Sequence, residues 1–289
     1  MNSDTLFRFL FRDKHVRGEI VDLAHSLQHM LQGHDYPFPV KQLLAEMVAA
    51  TSLLTATLKF EGEISVQLQG DGPVRYATVN GTDQQVFRGV ARLQSEIQGE
   101  GLRALVGEGY LLVTITPHQG ERYQGIIPLT GDSLKETIEA YFVQSEQLPT
   151  RVYLCTDVQS DKARAAGMLL QVLPVDQQKS HEEFAELVVL ADTIQADELL
   201  NLPAAEVVHR LFHQEVVEAF PLQPVRFECG CSRLKCEAAI LNLGAQAIQE
   251  HIADGQLDIQ CEYCKTNYHF DPAHLQQLLD TVQQDQDKE

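Results

Sequence analysis

A chain of 289 residues with 44% apolar content suits one large domain with a smaller attachment, or two domains of ordinary size, and can bury a substantial core. Its 22 Lys and Arg against 41 Asp and Glu give a formal net charge of -19, which repels phosphate backbones and anionic lipid and disfavours nucleic acid and membranes as partners. No apolar run reaches the roughly 18 to 20 residues that span a bilayer, and residues 6–11, interrupted by Arg8, are too short for a signal-peptide core, so a cytoplasmic protein is expected.

In chain order, residues 5–11 read as a strand. Ile20, Leu23, Ala24, Leu27, Met30 and Leu31 recur at helical spacing, with Gly33 placed to end the helix. Pro39 suits a helix start, and Val40, Leu43, Leu44, Met47, Val48, Leu54 and Leu58 continue an apolar stripe behind it. Ile64, Val66 and Leu68 alternate with polar residues, and the turn GDGP at 70–73 leads into a second strand at 74–79. Residues 110–116 and 123–129 predict a hairpin. Ser133 with Glu136 predicts a capping box for a helix running to about Ser145. Two more strands follow at 151–157 and 168–173. The expected fold class is α+β: an antiparallel-rich sheet domain with packed helices, a helical linker and a small C-terminal module.

The texture changes at 175–220. Phe184, Leu187, Val188, Ala191 and Ile194 form one apolar stripe and Val207, Val208, Leu211 and Phe212 another, separated by Pro203. Such a segment is either an ordinary helical subdomain or a marginally stable linker, since short helices depend on their packing. Pro221 and Pro224 mark the next boundary, and the tail from 280 to 289 is polar and expected to fray. The domains expected are 1–175, an α+β core; 176–225, a helical linker; and 226–289, a cysteine module.

Five of the six cysteines lie in that last module: the pair Cys229 and Cys231, then Cys236, then the pair Cys261 and Cys264. In a reducing compartment such clusters are metal ligands or redox devices, and two close pairs on two loops can supply the four thiolates that zinc favours. The first pair is CxC rather than CxxC, and the 29 residues between Cys231 and Cys261 exceed the usual ribbon spacing. Ala238, Ala239, Leu241, Leu243, Ala247 and Ile248 predict helix between the pairs. A module this small draws much of its folding free energy from its metal. Each pair can close a short disulfide, and Arg233, Lys235 and Lys265 either favour thiolate or simply balance the charge of a zinc–thiolate centre. Cys236 is a spare thiol, and Cys155, in a strand pattern, reads as core.

The stretches FECGCSRLKC at 227–236 and CEYCKTNYHF at 261–270 resemble the zinc module of the 33 kDa heat-shock chaperone family, the 33 kDa chaperonins. The resemblance extends to GDGP at 70–73, YFVQSEQLPT at 141–150 and AAGMLLQ at 165–171, and so covers nearly the whole chain. It implies one zinc per chain held by Cys229, Cys231, Cys261 and Cys264 in an inactive reduced form. It further implies that oxidation forms the disulfides Cys229–Cys231 and Cys261–Cys264, expels zinc and releases the linker. The core at 1–175 would then bind unfolding clients without ATP, commonly as a homodimer.

An enzyme is the first rival, but no nucleotide-binding, metalloprotease or serine-hydrolase motif is present, and the Cys261–Cys264 pair lacks the βαβ context of a thioredoxin-like redox site. His209 and His213, four apart, read as a helix-surface or packed pair rather than a metal site. A zinc-ribbon nucleic-acid binder is the second rival. It is disfavoured by five Lys or Arg against eleven Asp or Glu from 221 to 289. A static zinc-stabilised interaction protein differs from the switch only in what oxidation does.

Overall fold

The computed structural model describes residues 4–57, 61–159, 162–174 and 177–286. The alternation of Leu6 with Phe7, Phe9 and Phe11 makes β1 (Thr5–Phe11) a two-faced strand: Leu6 joins one apolar cluster and the three phenylalanines another. β2 (Val16–Leu23) pairs antiparallel with all seven residues of β1. The helical spacing that begins at Ile20 is therefore a strand as far as Leu23, and only α1 (His25–Leu31) is helical. The spacing misleads because a buried strand end and the first turn of the next helix happen to place apolar residues three and four apart.

α2 (Phe38–Thr57) follows, with 14 of its 20 residues buried, the all-round apolar pattern of an internal helix. Leu58, the last residue of its expected stripe, lies outside the described residues. β3 (Gly62–Gly70), β4 (Val74–Thr82), β5 (Val86–Leu93), α3 (Leu102–Val106), β6 (Gly109–Pro117) and β7 (Tyr123–Pro128) come next. β6 and β7 form the expected hairpin, whereas β5 and α3 have no counterpart in the sequence reading. At α4 (Leu134–Tyr141) the Ser133 hydroxyl accepts from the Glu136 amide, but the helix passes into a π-helical turn (Phe142–Glu146) instead of continuing as α-helix. β8 (Thr150–Asp157) and β9 (Arg164–Val172) complete the strands of the core.

α5 (Gln177–Ala191), α6 (Ala196–Asn201) and α7 (Ala204–Phe212) are followed by the short strands β10 (Val217–Ala219), β11 (Gln223–Pro224) and β12 (Arg226–Phe227). The first sheet runs β10-β1-β2-β9-β8, with β11 also on β1; the second runs β12-β5-β4-β3-β6-β7, antiparallel except where β12 meets β5. α2 packs on strands of both sheets, so the layers read α5–α7, first sheet, α2, second sheet. The outer layer joins Leu187, Ala191, Leu199, Val207, Val208, Leu211 and Phe212 to the phenylalanine face of β1. Phe212 meets Phe11 edge-on at 5.0 Å, and a Cβ added at Gly18 would strike the Phe9 ring lying over it. Burying each such ring contributes about 1.5 to 3 kcal/mol.

By internal contacts the chain divides into two compact units, Met1–Glu228 and Cys229–Glu289. The second contains α8 (Arg233–Leu241), α9 (Ala245–Asp254), β13 (Leu257–Gln260), β14 (Asn267–Phe270) and α10 (Pro272–Gln286), around a core of Ile240, Ile248, Phe270, Leu275 and Leu279. Residues 280–286 of the polar tail are thus helical, because Leu275 and Leu279 anchor α10, and 287–289 lie outside the described residues.

Candidate metal centre

Two turns of the second unit carry the thiols. Gly230, between Cys229 and Cys231, has φ of 65°, a conformation that glycine adopts without penalty and that folds the CxC segment back on itself. Ser232 then caps α8, accepting from the Lys235 amide, and the Lys235 ammonium donates to the Gly230 carbonyl at 2.6 Å. The other turn links β13 to β14. There the Cys261 amide donates to the Thr266 carbonyl at 2.9 Å, and the Lys265 amide donates to the Cys261 carbonyl at 3.0 Å.

The structure brings Cys229, Cys231, Cys261 and Cys264 together, with all four Sγ atoms within 4.8 Å of one another. The two close contacts, Cys229 to Cys261 at 3.3 Å and Cys231 to Cys264 at 3.4 Å, both cross between the motifs. Four thiolates about 2.3 Å from a zinc ion would be separated by about 3.8 Å, so these sulfurs can converge on one tetrahedral ion. Their donor set, four soft sulfurs, suits zinc among the common divalent ions.

The thiols are electrostatically unequal. Burial pushes the Cys229 thiol up, with Cys261 adding to the effect. The Tyr268 hydroxyl, 3.1 Å from the Cys231 sulfur, favours its thiolate, but burial and Cys264 outweigh it and the Cys231 thiol is raised. At Cys264 burial is overcome by the Thr266 hydroxyl and amide, and the thiol is pushed down to about 6. Cys229 and Cys231 are thus held toward the neutral thiol, whereas Cys264 is shifted toward thiolate near neutral pH. The sequence assigns no role to Thr266 or Tyr268, because only the folded hairpin brings them to the sulfurs.

The remaining candidates fall elsewhere. Arg233 faces the Phe270 ring at 4.5 Å and pairs with Glu237 at 3.4 Å, so its charge is engaged with the unit's own packing. Cys236 packs against the small core and is not one of the four clustered thiols. Cys155 sits half-buried on β8 against the phenylalanine cluster, its thiol raised by burial. His209 on α7 and His213, its C-cap, are both exposed with ring centroids 6.5 Å apart, and they join no group of three metal donors among the described residues.

An α+β body followed by a small unit with a four-thiol cluster defines a protein with a candidate thiolate metal centre. The family profile described as "Hsp33 protein" matches residues 4–271. The 33 kDa chaperonin of Pseudoalteromonas translucida is 51% identical over 280 residues, covering 96% of this chain and 100% of its own. That of Pectobacterium carotovorum is 50% identical over 280 residues, covering 96% of each. The crystal structure of the 33 kDa chaperonin from Thermotoga maritima superposes with a TM-score of 0.84 at 22% identity, covering 96% of this chain and 98% of that one, and so shares the fold. The chain belongs to the Hsp33 family of chaperones.

Proposed function

We propose that the chain is a redox-regulated, ATP-independent holdase, inactive while reduced and zinc-bound and activated by oxidation. The observation that carries this reading is the cluster of four thiols within 4.8 Å, in a unit whose apolar core, among the described residues, amounts to five buried side chains. Zinc at that cluster would tie two loops together and supply much of the unit's folding free energy. Cys229, Cys231, Cys261 and Cys264 would hold it as thiolates.

A peroxide accepts two electrons from each pair of thiolates. The two sulfurs join, and the peroxide oxygens, taking up protons, leave as water. The family resemblance implies the pairs Cys229–Cys231 and Cys261–Cys264. Sulfurs tied up in disulfides no longer serve as ligands, and the unit loses its main tie. Release of the 176–225 segment would then uncover Phe7, Phe9, Phe11, Ile20, Met168 and Leu170, which form the sheet side of the second apolar cluster. That surface, on the 1–175 core, is suited to unfolding clients. An oxidised homodimer, a cytoplasmic setting and the absence of nucleic-acid partners belong to the same reading, the last supported by the net charge of -19.

The test joins three measurements on one sample. Peroxide with mild warming should release one zinc per chain, seen with a chromogenic chelator. Peptide mapping should find the two within-motif disulfides, and amides of α5–α7 should exchange faster. The oxidised protein should keep an unrelated unfolding protein from aggregating without ATP, and reductant plus zinc should reverse the effect. Serine at any of the four clustered cysteines should weaken zinc binding strongly, whereas Cys155→Ser should not. Zinc release with α5–α7 still protected and clients still aggregating would leave a static zinc-stabilised protein in place of a switch.

A further inference from the structure

We propose that the outer edge of β1 is a docking site for extended segments of unfolded polypeptide, held closed in the reduced protein by residues 216–225. This rests on the release of the 176–225 segment proposed above and specifies how the uncovered surface takes hold of a client.

One edge of β1 is paired along its whole length with β2. Among the described residues, the other edge is covered by the strap of residues 216–225 alone. The Arg12 amide donates to the Val216 carbonyl at 2.9 Å, the Phe220 amide to the Arg8 carbonyl at 2.9 Å, and the Val225 amide to the Asp4 carbonyl at 2.8 Å. Phe9, Leu10 and Phe11 pair with β10, and Thr5 and Leu6 with β11. Between Phe9–Ala219 and Leu6–Gln223 the strap spends three residues against two on β1, so the two halves are out of register by one. Pro221 and Pro224 offer no amide, and Val216, Phe220 and Leu222 project as exposed apolar side chains. The cover is short, bulged and poorly buried.

An uncovered edge of seven residues presents main-chain donors and acceptors that any extended chain can satisfy. Recognition through the backbone does not depend on side-chain sequence, which is what a protein facing many different clients requires. The strap itself demonstrates the mode, since it binds antiparallel as an extended segment with exposed apolar residues. Phe7, Phe9 and Phe11 lie on one face of the same strand and would receive alternate apolar side chains of the bound segment.

Alternation places the Leu10 amide on the strap side, in line with the Arg8 and Arg12 groups already bonded there. Leu10→Pro removes that one donor and leaves the β1–β2 ladder intact, while Leu10→Ala removes only the side chain. The probe is a permanently unfolded protein, carboxymethylated α-lactalbumin, added to the oxidised full-length chain. Leu10→Pro should bind it about fivefold more weakly than wild type, the equivalent of one backbone hydrogen bond, with zinc release unchanged, and Leu10→Ala should bind nearly as wild type. In wild type the Leu10 and Arg12 amides should lose exchange protection on oxidation and regain it when the probe binds, a readout that does not depend on how well the proline variant folds. Capture by wild type with these two amides still unprotected would overturn the edge assignment alone. Failure of the oxidised wild type to capture the probe would overturn the holdase reading and this one together.

Discussion

Glu19 is 2% exposed on β2, and among the described residues one of its carboxylate oxygens has no hydrogen-bond partner. Burial pushes its pKa from 4.5 up to about 7, against the pull of Arg17 and Arg8. Between those values the folded chain keeps a proton that the unfolded chain has lost, so stability falls as pH rises through that window and stays low above it. Glu19→Gln should flatten this dependence and raise stability at pH 8 by at most about 3 kcal/mol, measured by denaturant unfolding across the pH range. An equal slope in both proteins would show that Glu19 is ionised throughout. Nothing in the sequence marks Glu19, because its burial follows from the position of β2 between β1 and β9. The clustered cysteines were legible because their chemistry is local and their two pairs are close in sequence. Thr266 and Tyr268, which tune those sulfurs, were not, since the hairpin delivers them.

Among the elements, α5–α7 meet the first sheet through apolar side chains and a few polar ties. Asp192, just past α5, accepts two bonds from Arg151 at 3.1 and 2.9 Å and one from the Tyr153 hydroxyl at 2.7 Å. Burial opposes charge on Asp192, but Tyr153 and Arg151 outweigh it and hold the carboxyl below its ordinary value. Arg164 to Asn201 at 3.0 Å and Lys14 to Glu186 at 3.1 Å tie the same layer down. Asp192→Asn keeps the shape and removes the charge. Because the pair is partly exposed, the loss should be at most about 1 kcal/mol, read as up to about fivefold faster amide exchange in α5 of the reduced protein. Unchanged exchange there would mean that apolar packing alone secures the layer. The stripes of α5 and α7 were readable because each side chain repeats with the helix. α3 and β10 to β12 are not, being short or defined by partners distant in sequence; β5, although it pairs with the neighbouring β4, is masked by Arg88, Gly89 and Arg92 among its apolar residues, and the spacing of Ile20 and Leu23 disguises β2 as helix.

For the whole molecule, the contrast between the units is one of core size. Among the described residues the first holds two large apolar clusters and the second a cluster of five buried side chains. A strong chelator under reducing conditions should therefore unfold residues 229–289 while the first unit keeps its own cooperative melt, resolved by calorimetry or by exchange of the two units separately. A single transition unaffected by chelation would show that the small core suffices. The α+β class and the cysteine module were evident from the sequence. The two-sheet layering around α2 was not, because it depends on which strands pair across long intervals.

The crossed sulfur contacts in the second unit have a consequence for chain freedom. A metal at the four thiols pins the two ends of a 29-residue interval together, from Cys231 to Cys261, enclosing α8, α9 and β13. Disulfides within each motif would close rings of only three and four residues and leave that interval unfastened. Gaining two covalent bonds would thus give the interval more conformations to explore, so that oxidation, ordinarily a means of stiffening a protein, would here increase its disorder.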